Sequence, residues 1–361
     1  MESNLSLPKL DMFPRYAELG ASSRLRFYRY AAKWAADGGE VELHPFFASD
    51  YLAELYRTGR KSPAALIGGW LRRRRELNRA GGRLLIEYEL LPFLPFVLER
   101  IFLKNRKFIL NFDDAVYLKY AKIPLLRNKF AELIRHASGV ICANDHLTEW
   151  ARSFNGNVIK IPTVVELAAY RAIRPEKFPR LTVVWIGSPA TSHYLFQARE
   201  QLLAMREAAD FELLVIGGKP PRGNPLAGLD VRYETWSEAA EIELLKRSHI
   251  GIMPLPAADK FAQGKSAFKL IQYCAAGLPA IASDVGENRN VLADGVTGFL
   301  ADTPAEWALA FKKLASLQLR GEFSANCLER AEEFSLEHYY PLFREFILRT
   351  FTATDCKDSD L

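Results

Sequence analysis

Lys265 and Lys269 stand four residues apart at the expected start of a helix, after the polar run Lys260, Gln263, Gly264. Cations are unfavourable at a helix N-terminus unless an anion offsets them. The pair therefore points to a bound diphosphate, the alternative being an exposed basic turn. The same stretch, PLPAADKFAQGKSAFKLIQYCAAGLPAIASDVGENRNVL, runs from a strand through that helix to Gly277 and Pro279, which should end it. A second strand then leads to Gly286, Glu287 and Asn288. A third element, VVWIGSPATSHYL, carries a buried strand into Gly187, Ser188, Thr191 and Ser192. Gly187 permits close backbone approach, and Thr191 or Ser192 could cap a helix whose free N–H groups and dipole favour an anion. An ordinary capped strand-to-helix turn would read the same way.

The first half offers three further sets. Asp113 and Asp114 end the strand NFDD. Asp113 could hydrogen-bond a ligand or act as a base; alternatively one carboxylate caps the next segment and the other is solvated. In ELGASSRLRFYRY, Gly20 permits tight approach and Ser22 or Ser23 could cap a helix. Arg24 and Arg26 could meet phosphates or simply coat an amphipathic helix. Glu87 and Glu89 alternate with apolar residues, so one of them, taken as Glu89, should face a ligand.

Positioning these residues requires alternating strands and helices. Strands are expected over 40–47, 83–90, 107–114, 139–144 and 158–162, then 181–187, 211–217, 231–234, 250–255 and 280–283. Helices are expected over 22–36, 124–137, 193–208, 237–247, 268–276, 304–317 and 336–351. Strands such as VVWIG and LLVIGG are apolar on both faces, as central parallel strands are. The class is α/β, with two Rossmann-like doubly wound domains facing a cleft. The expected layout is an N-terminal domain over 1–165, a linker over 166–180 and a C-terminal domain over 181–334. A terminal helix over 335–361 then packs back on the first domain, with a frayed tail after Thr350. Ligands of such sheets bind beyond the C-terminal strand ends.

Composition agrees with globular domains: 361 residues, 49% hydrophobic and 25% charged. The four cysteines (Cys142, Cys274, Cys327, Cys356) form no metal-type pair, which suggests free thiols and a reducing compartment. There is no basic n-region with an apolar run after it, and no apolar stretch long enough to span a bilayer. The net charge of +5 does not argue for nucleic acid. The block Arg72–Arg75 is either a solvated helix face or a contact for anionic lipid.

GKSAFKLIQYCAAGLPAIASDVGENRNVLADGVTGFLA resembles the donor site of retaining glycosyltransferases with the GT-B fold, the large family that builds bacterial surface polysaccharides from nucleotide-sugars. IGSPATSHYL, the preceding PLP and GASSRLRFYRY extend the resemblance. It implies a metal-independent hexosyltransferase with no cofactor, a nucleotide diphosphate sugar as donor, and a saccharide or lipid-linked saccharide as acceptor. The free thiols and the missing apolar leader suggest a cytoplasmic location, and contact through Arg72–Arg75 would make it peripheral at the inner face of the cell membrane. Gly187, Ser188, Thr191, Ser192, Gly264, Lys269, Gln272, Gly286, Glu287 and Asn288 would hold the donor. Gly20, Arg24, Arg26 and Glu89 would serve the acceptor, and Asp113 and Lys265 the chemistry.

The chain departs from the family pattern. Many relatives carry two glutamates with seven residues between them where this sequence has Gly264 and Gln272, and an Arg and a Lys where it has Ser188 and His193. Gln272 can still hydrogen-bond a ribose. Lys265, Lys269 and backbone N–H groups would take over the diphosphate. The competing readings are a catalytically degenerate GT-B subunit and a nucleotide-sugar epimerase.

Overall fold

A computed structural model describes residues 7–221 and 223–352. Two six-stranded, wholly parallel sheets form. The first contains β1 (Leu10–Phe13), β2 (Val41–Leu43), β3 (Arg83–Glu87), β4 (Lys107–Phe112), β5 (Gly139–Cys142) and β6 (Val158–Lys160), in the order β2-β1-β3-β4-β5-β6. The second contains β7 (Thr182–Ile186), β8 (Glu212–Ile216), β9 (Asp230–Glu234), β10 (Ile250–Met253), β11 (Ala280–Ala282) and β12 (Gly298–Leu300), in the order β12-β11-β10-β7-β8-β9. Two doubly wound α/β units are what the double-faced apolar strands require. Val184, Ile186 and Leu214 enter one apolar layer of the second sheet, whereas Val183, Trp185, Leu213 and Val215 enter the other. The strand period of two thus feeds both faces at once.

The chain divides into two compact units, the first ending at Thr163 and resumed from Tyr339, the second running from Val164 to His338. The segment 166–180 is not bare linker: Leu167–Ala172 is a short helix. In the first unit the C-terminal helix sets Phe343 against Tyr30, with ring centroids 4.6 Å apart. Of the frayed tail expected after Thr350, Phe351 and Thr352 are helical, and the rest, with Cys356, lies outside the described residues. Cys142, Cys274 and Cys327 are buried and free. Among the described residues, no helix is long and apolar enough to cross a membrane.

Several elements differ from the sequence pattern. Neither β1 nor β12 was expected. Leu-Asp-Met-Phe lies between prolines and contains a charge, yet all four residues are buried. The expected helix over 193–208 is two, Ser192–Gln197 and Arg199–Ala208, broken where Ala198 leaves helical geometry. The expected helix over 124–137 is Lys129–His136 alone. The helix from residue 21 contains a π-helical stretch, Arg24–Tyr28, and Gly20, not a serine, occupies its N-cap. β3 stops at Glu87 because Tyr88 adopts φ 61°, which ends the strand alternation.

The four-arginine block is not one solvated face. In the helix Pro63–Arg79, residues 69, 73 and 77 fall on one inward stripe. Arg73 is therefore buried, its guanidinium 4.8 Å from the Phe13 ring and donating to His44 O. Burial pushes it down to about 10. Arg72 donates to Phe46 O, and only Arg74 and Arg75 are exposed.

The first unit also buries a set of opposite charges. Lys129 Nζ lies 2.6 Å from Glu89 Oε2 and 2.7 Å from Glu99 Oε1, and donates to Leu91 O at 2.7 Å. Glu99 accepts from the Leu90 and Leu91 N–H groups. Removing one partner of such a pair leaves an uncompensated buried charge. Lys129→Met should therefore cost about 3–5 kcal/mol of stability, read as a fall in the urea midpoint at constant slope. A midpoint within error of the wild type would show that the cluster contributes nothing.

Candidate functional site

In the second sheet the strand order reverses between β7 and β10, the place where open parallel sheets bind ligands. The turns that follow these two strands carry Gly187 and Lys265, and they lie together. Lys265 is 9% exposed, with Nζ 5.6 Å from the Tyr194 ring centroid and 5.2 Å from that of Phe261. Tyr194 follows the Gly187 turn, and its hydroxyl donates to Asp259 Oδ2 at 2.9 Å, which ties the two loops. Lys269 Nζ sits 5.3 Å from the ring of Trp185, the residue two before Gly187. Two cations thus converge over aromatic rings at one strand end, an arrangement worth ~1 kcal/mol or more for each ring contact in a desolvated site.

Three turns approach closely because they lack side chains. A Cβ on Gly187 would lie 2.5 Å from Trp185, one on Gly217 2.6 Å from Gly187 O, and one on Gly286 2.5 Å from Gln263 O. Gly286 also needs its φ of 53°. The Gly286 turn is thereby pressed on the backbone immediately before Gly264. Ala267, at the N-cap of the helix Phe268–Ala275, is left-handed at φ 51°. A non-glycine residue held there stores ~1–3 kcal/mol, a kind of strain that gathers at functional sites.

The remaining predicted donor residues fall on the same turns, with several changed roles. The Thr191 and Ser192 hydroxyls do not cap the helix: both donate back to Ser188 O, at 3.0 and 3.3 Å. Glu287 is buried and its Oε2 accepts from Asn290. Asn288 is 1% exposed, with Nδ2 donating to Ser283 O and Oδ1 buried without a hydrogen-bond partner. Gln272 is buried, and its Nε2 donates to Glu241 Oε1 at 2.5 Å. The other oxygen of Glu241 accepts from the Trp236 indole. Sequence reading missed Glu241 and Trp236. An acid in the helix Glu238–Arg247 and a tryptophan after β9 carry no spacing signal, and only the fold brings them to Gln272.

In the first unit the order reverses between β1 and β3, and β3 ends at Glu87. Glu87 is 1% exposed; its Oε2 accepts from Ser23 Oγ at 2.5 Å and from Arg15 N at 2.6 Å. Its Oε1 is buried without a hydrogen-bond partner. Burial, and next the charge of Asp113, pushes this carboxyl up to about 7. Asp113 is itself buried just beyond β4. Arg26, far from coating a surface, is 2% exposed and donates through Nε to Asn111 Oδ1 at 2.6 Å. Burial lowers its pKa and Asp113 opposes that. Arg24 is buried too, and donates to Glu18 O. Ser23, expected as a cap, instead holds Glu87.

Glu89 was the residue expected to meet an acceptor. It borders a small recess with Arg15, Lys119 and Tyr120. However, Oε1 accepts from Arg15 and Tyr120, and Oε2 pairs with Lys129. The turn at Tyr88 is what redirects it. Gly20 has no room for a side chain, since a Cβ would lie 2.5 Å from Tyr16 Cβ. Among the described residues, one group of three metal-type side chains occurs, Asp11, Glu42 and His44. It is held by its own contacts: Asp11 accepts from Gly81 N and bonds His44, and Glu42 pairs with Lys9.

Residues 180–316 match the family described as glycosyl transferases group 1. None of the curated proteins matches significantly. Solved structures share the fold over nearly the whole chain. A glycosyltransferase from Rickettsia africae ESF-5 is 13% identical with a TM-score of 0.65, covering 97% of this chain and 100% of its own. Sucrose-phosphate synthase from Thermosynechococcus elongatus is 15% identical with a TM-score of 0.68, covering 96% and 100%. HepE from Anabaena, solved with UDP-glucose, is 13% identical with a TM-score of 0.67, also covering 96% and 100%. The second unit is thus similar to group 1 glycosyltransferases over residues 180–316, and the two Rossmann-like sheets share the GT-B fold of these solved structures.

Proposed function

We propose that the chain is a glycosyltransferase that retains anomeric configuration and acts in the synthesis of a cell-surface polysaccharide or glycolipid. Its donor is a nucleoside diphosphate sugar, and its acceptor a hydroxyl of a saccharide or lipid-linked saccharide. The observation that carries the donor assignment is the convergence of Lys265 and Lys269 on the Gly187 turn at the β7/β10 reversal. Two ammonium groups there would stabilise the charge that develops on the leaving diphosphate. They supply the positive charge that a metal would otherwise bring, so turnover should need no divalent cation. UDP-glucose is the first donor to try, because Anabaena HepE was solved with it.

In the transfer step the bond from the anomeric carbon to the diphosphate oxygen breaks. The acceptor oxygen bonds to that carbon, and its proton passes to the departing diphosphate. Gly264, where relatives carry a carboxylate, offers no nucleophile, which supports retention without a covalent sugar–enzyme intermediate. Glu241, held by Gln272 and Trp236, supplies a carboxylate beside the position where relatives use glutamate for the ribose. A charge-assisted hydrogen bond is about twice as strong as a neutral one.

Lys265→Ala should lower turnover at least about tenfold with the fold intact, measured as sugar transfer or donor hydrolysis and checked by circular dichroism. Unchanged turnover would remove Lys265 from the chemistry. Donor binding with no transfer to any acceptor would favour the degenerate-subunit reading. Glu241→Ala should raise the KM for the donor about tenfold and change kcat little; the reverse pattern would exclude a ribose role. Glu87 gives a pH signature. Folded, it holds its proton to about 7, against 4.5 for an ordinary glutamate. Stability from the extra bound proton is complete below 4.5 and lost as pH rises through 7. The Tm of Glu87→Gln should therefore gain on the wild type between pH 5 and pH 8; parallel Tm profiles would contradict this.

A further inference from the structure

The first unit exposes an unusual run of large apolar side chains. On the helix Pro63–Arg79, Ile67 is 53% and Leu71 56% exposed, one turn apart. On the helix Phe96–Leu103, Val97 is 63% and Ile101 68% exposed, again four residues apart. The two helices are tied together, since Trp70 Nε1 donates to Pro92 O at 3.0 Å, four residues before the second helix. Phe93 is exposed as well, and its ring lies 5.6 Å from that of Tyr120. That contact adds the next loop, where Ile123 and Leu125 also face solvent.

The charge around these residues is one-sided. Residues 60–131 contain sixteen basic and six acidic side chains, an excess of ten in a chain whose net charge is +5. Every one of the six acids, Glu76, Glu87, Glu89, Glu99, Asp113 and Asp114, is buried or half-buried. Arg74, Arg75, Arg100, Lys104, Lys122 and Arg127 are exposed. The outward stripe of Pro63–Arg79 passes from Ile67 and Leu71 to Arg74 and Arg75 with the helical period, so apolar and cationic groups share one face. Such faces lie in the headgroup region of a bilayer, with apolar side chains below and arginines at the level of the phosphates.

We propose that this face, built from Ile67, Leu71, Val97 and Ile101 with Arg74, Arg75 and Arg100, docks on an anionic lipid surface. It replaces the four-arginine block as the contact, because Arg73 is inside and Arg72 bonds Phe46 O. Self-association through the face would oppose arginine to arginine in a two-fold interface, which the charge excess disfavours. Docking through this face is independent of which sugar is transferred, and of transfer at all.

The test is co-sedimentation of the full chain with vesicles of phosphatidylcholine alone and with about 30% phosphatidylglycerol. The chain should pellet with the anionic vesicles and not with the neutral ones. Arg74→Ala/Arg75→Ala/Arg100→Ala should weaken partitioning about a hundredfold, from about fivefold per charge. Ile67→Glu/Ile101→Glu should abolish it. A control in the second unit, Leu309→Glu/Leu317→Glu, alters equally exposed residues and should change nothing. No pelleting at low ionic strength would overturn the proposal. So would equal binding to neutral vesicles, or a concentration-dependent dimer that Ile67→Glu/Ile101→Glu dissolves.

Discussion

The second unit depends on close approach of backbone where no side chain is allowed. Gly187, Gly217 and Gly286 each face a neighbouring main chain or ring at a distance that a Cβ would violate. Their contacts gather the turns after β7, β8, β10 and β11 at one end of the sheet. Lys265 and Lys269 can then rest on Tyr194, Phe261 and Trp185 near the Gly187 turn. The left-handed Ala267 is consistent with this: surrounding packing holds a backbone conformation that alanine alone would leave.

The first unit solves a different problem, the burial of charge. Lys129 lies between Glu89 and Glu99, while Arg26 meets Asn111 and the field of Asp113. Buried ions persist only when paired and hydrogen-bonded, and these side chains are. Withdrawing the acids leaves the outer helices basic. The same arrangement that satisfies the interior therefore gives the outside its positive, partly apolar face.

Much of the fold was legible because it follows from periodicity. Runs such as VVWI and LLVI can exist only between two helical layers, and alternation of these runs with helices dictates doubly wound sheets. What was not legible lay in short or charged elements. β1 contains Asp11, and β12 has three residues whose pairing with β11 decides them. The turns of the candidate site were legible where residue type alone restricts geometry, as at Gly187, Gly286 and the Lys265 turn. It was not where partners come from distant segments. Gln272 and Glu241 lie 31 residues apart in sequence. The partners of Glu89 were not legible because one left-handed residue, Tyr88, ends the strand alternation just before it.

Local chemistry in the chain order was thus sufficient for the class of fold, the glycine turns and the lysines at the head of one helix, because each follows from residue type and near-neighbour period. Which carboxylates stay ionised, which arginines are inside, and which acid stands beside Gln272 were settled by folding. Those properties depend on burial and on contacts between residues remote in sequence, and neither quantity exists before the sheets are packed.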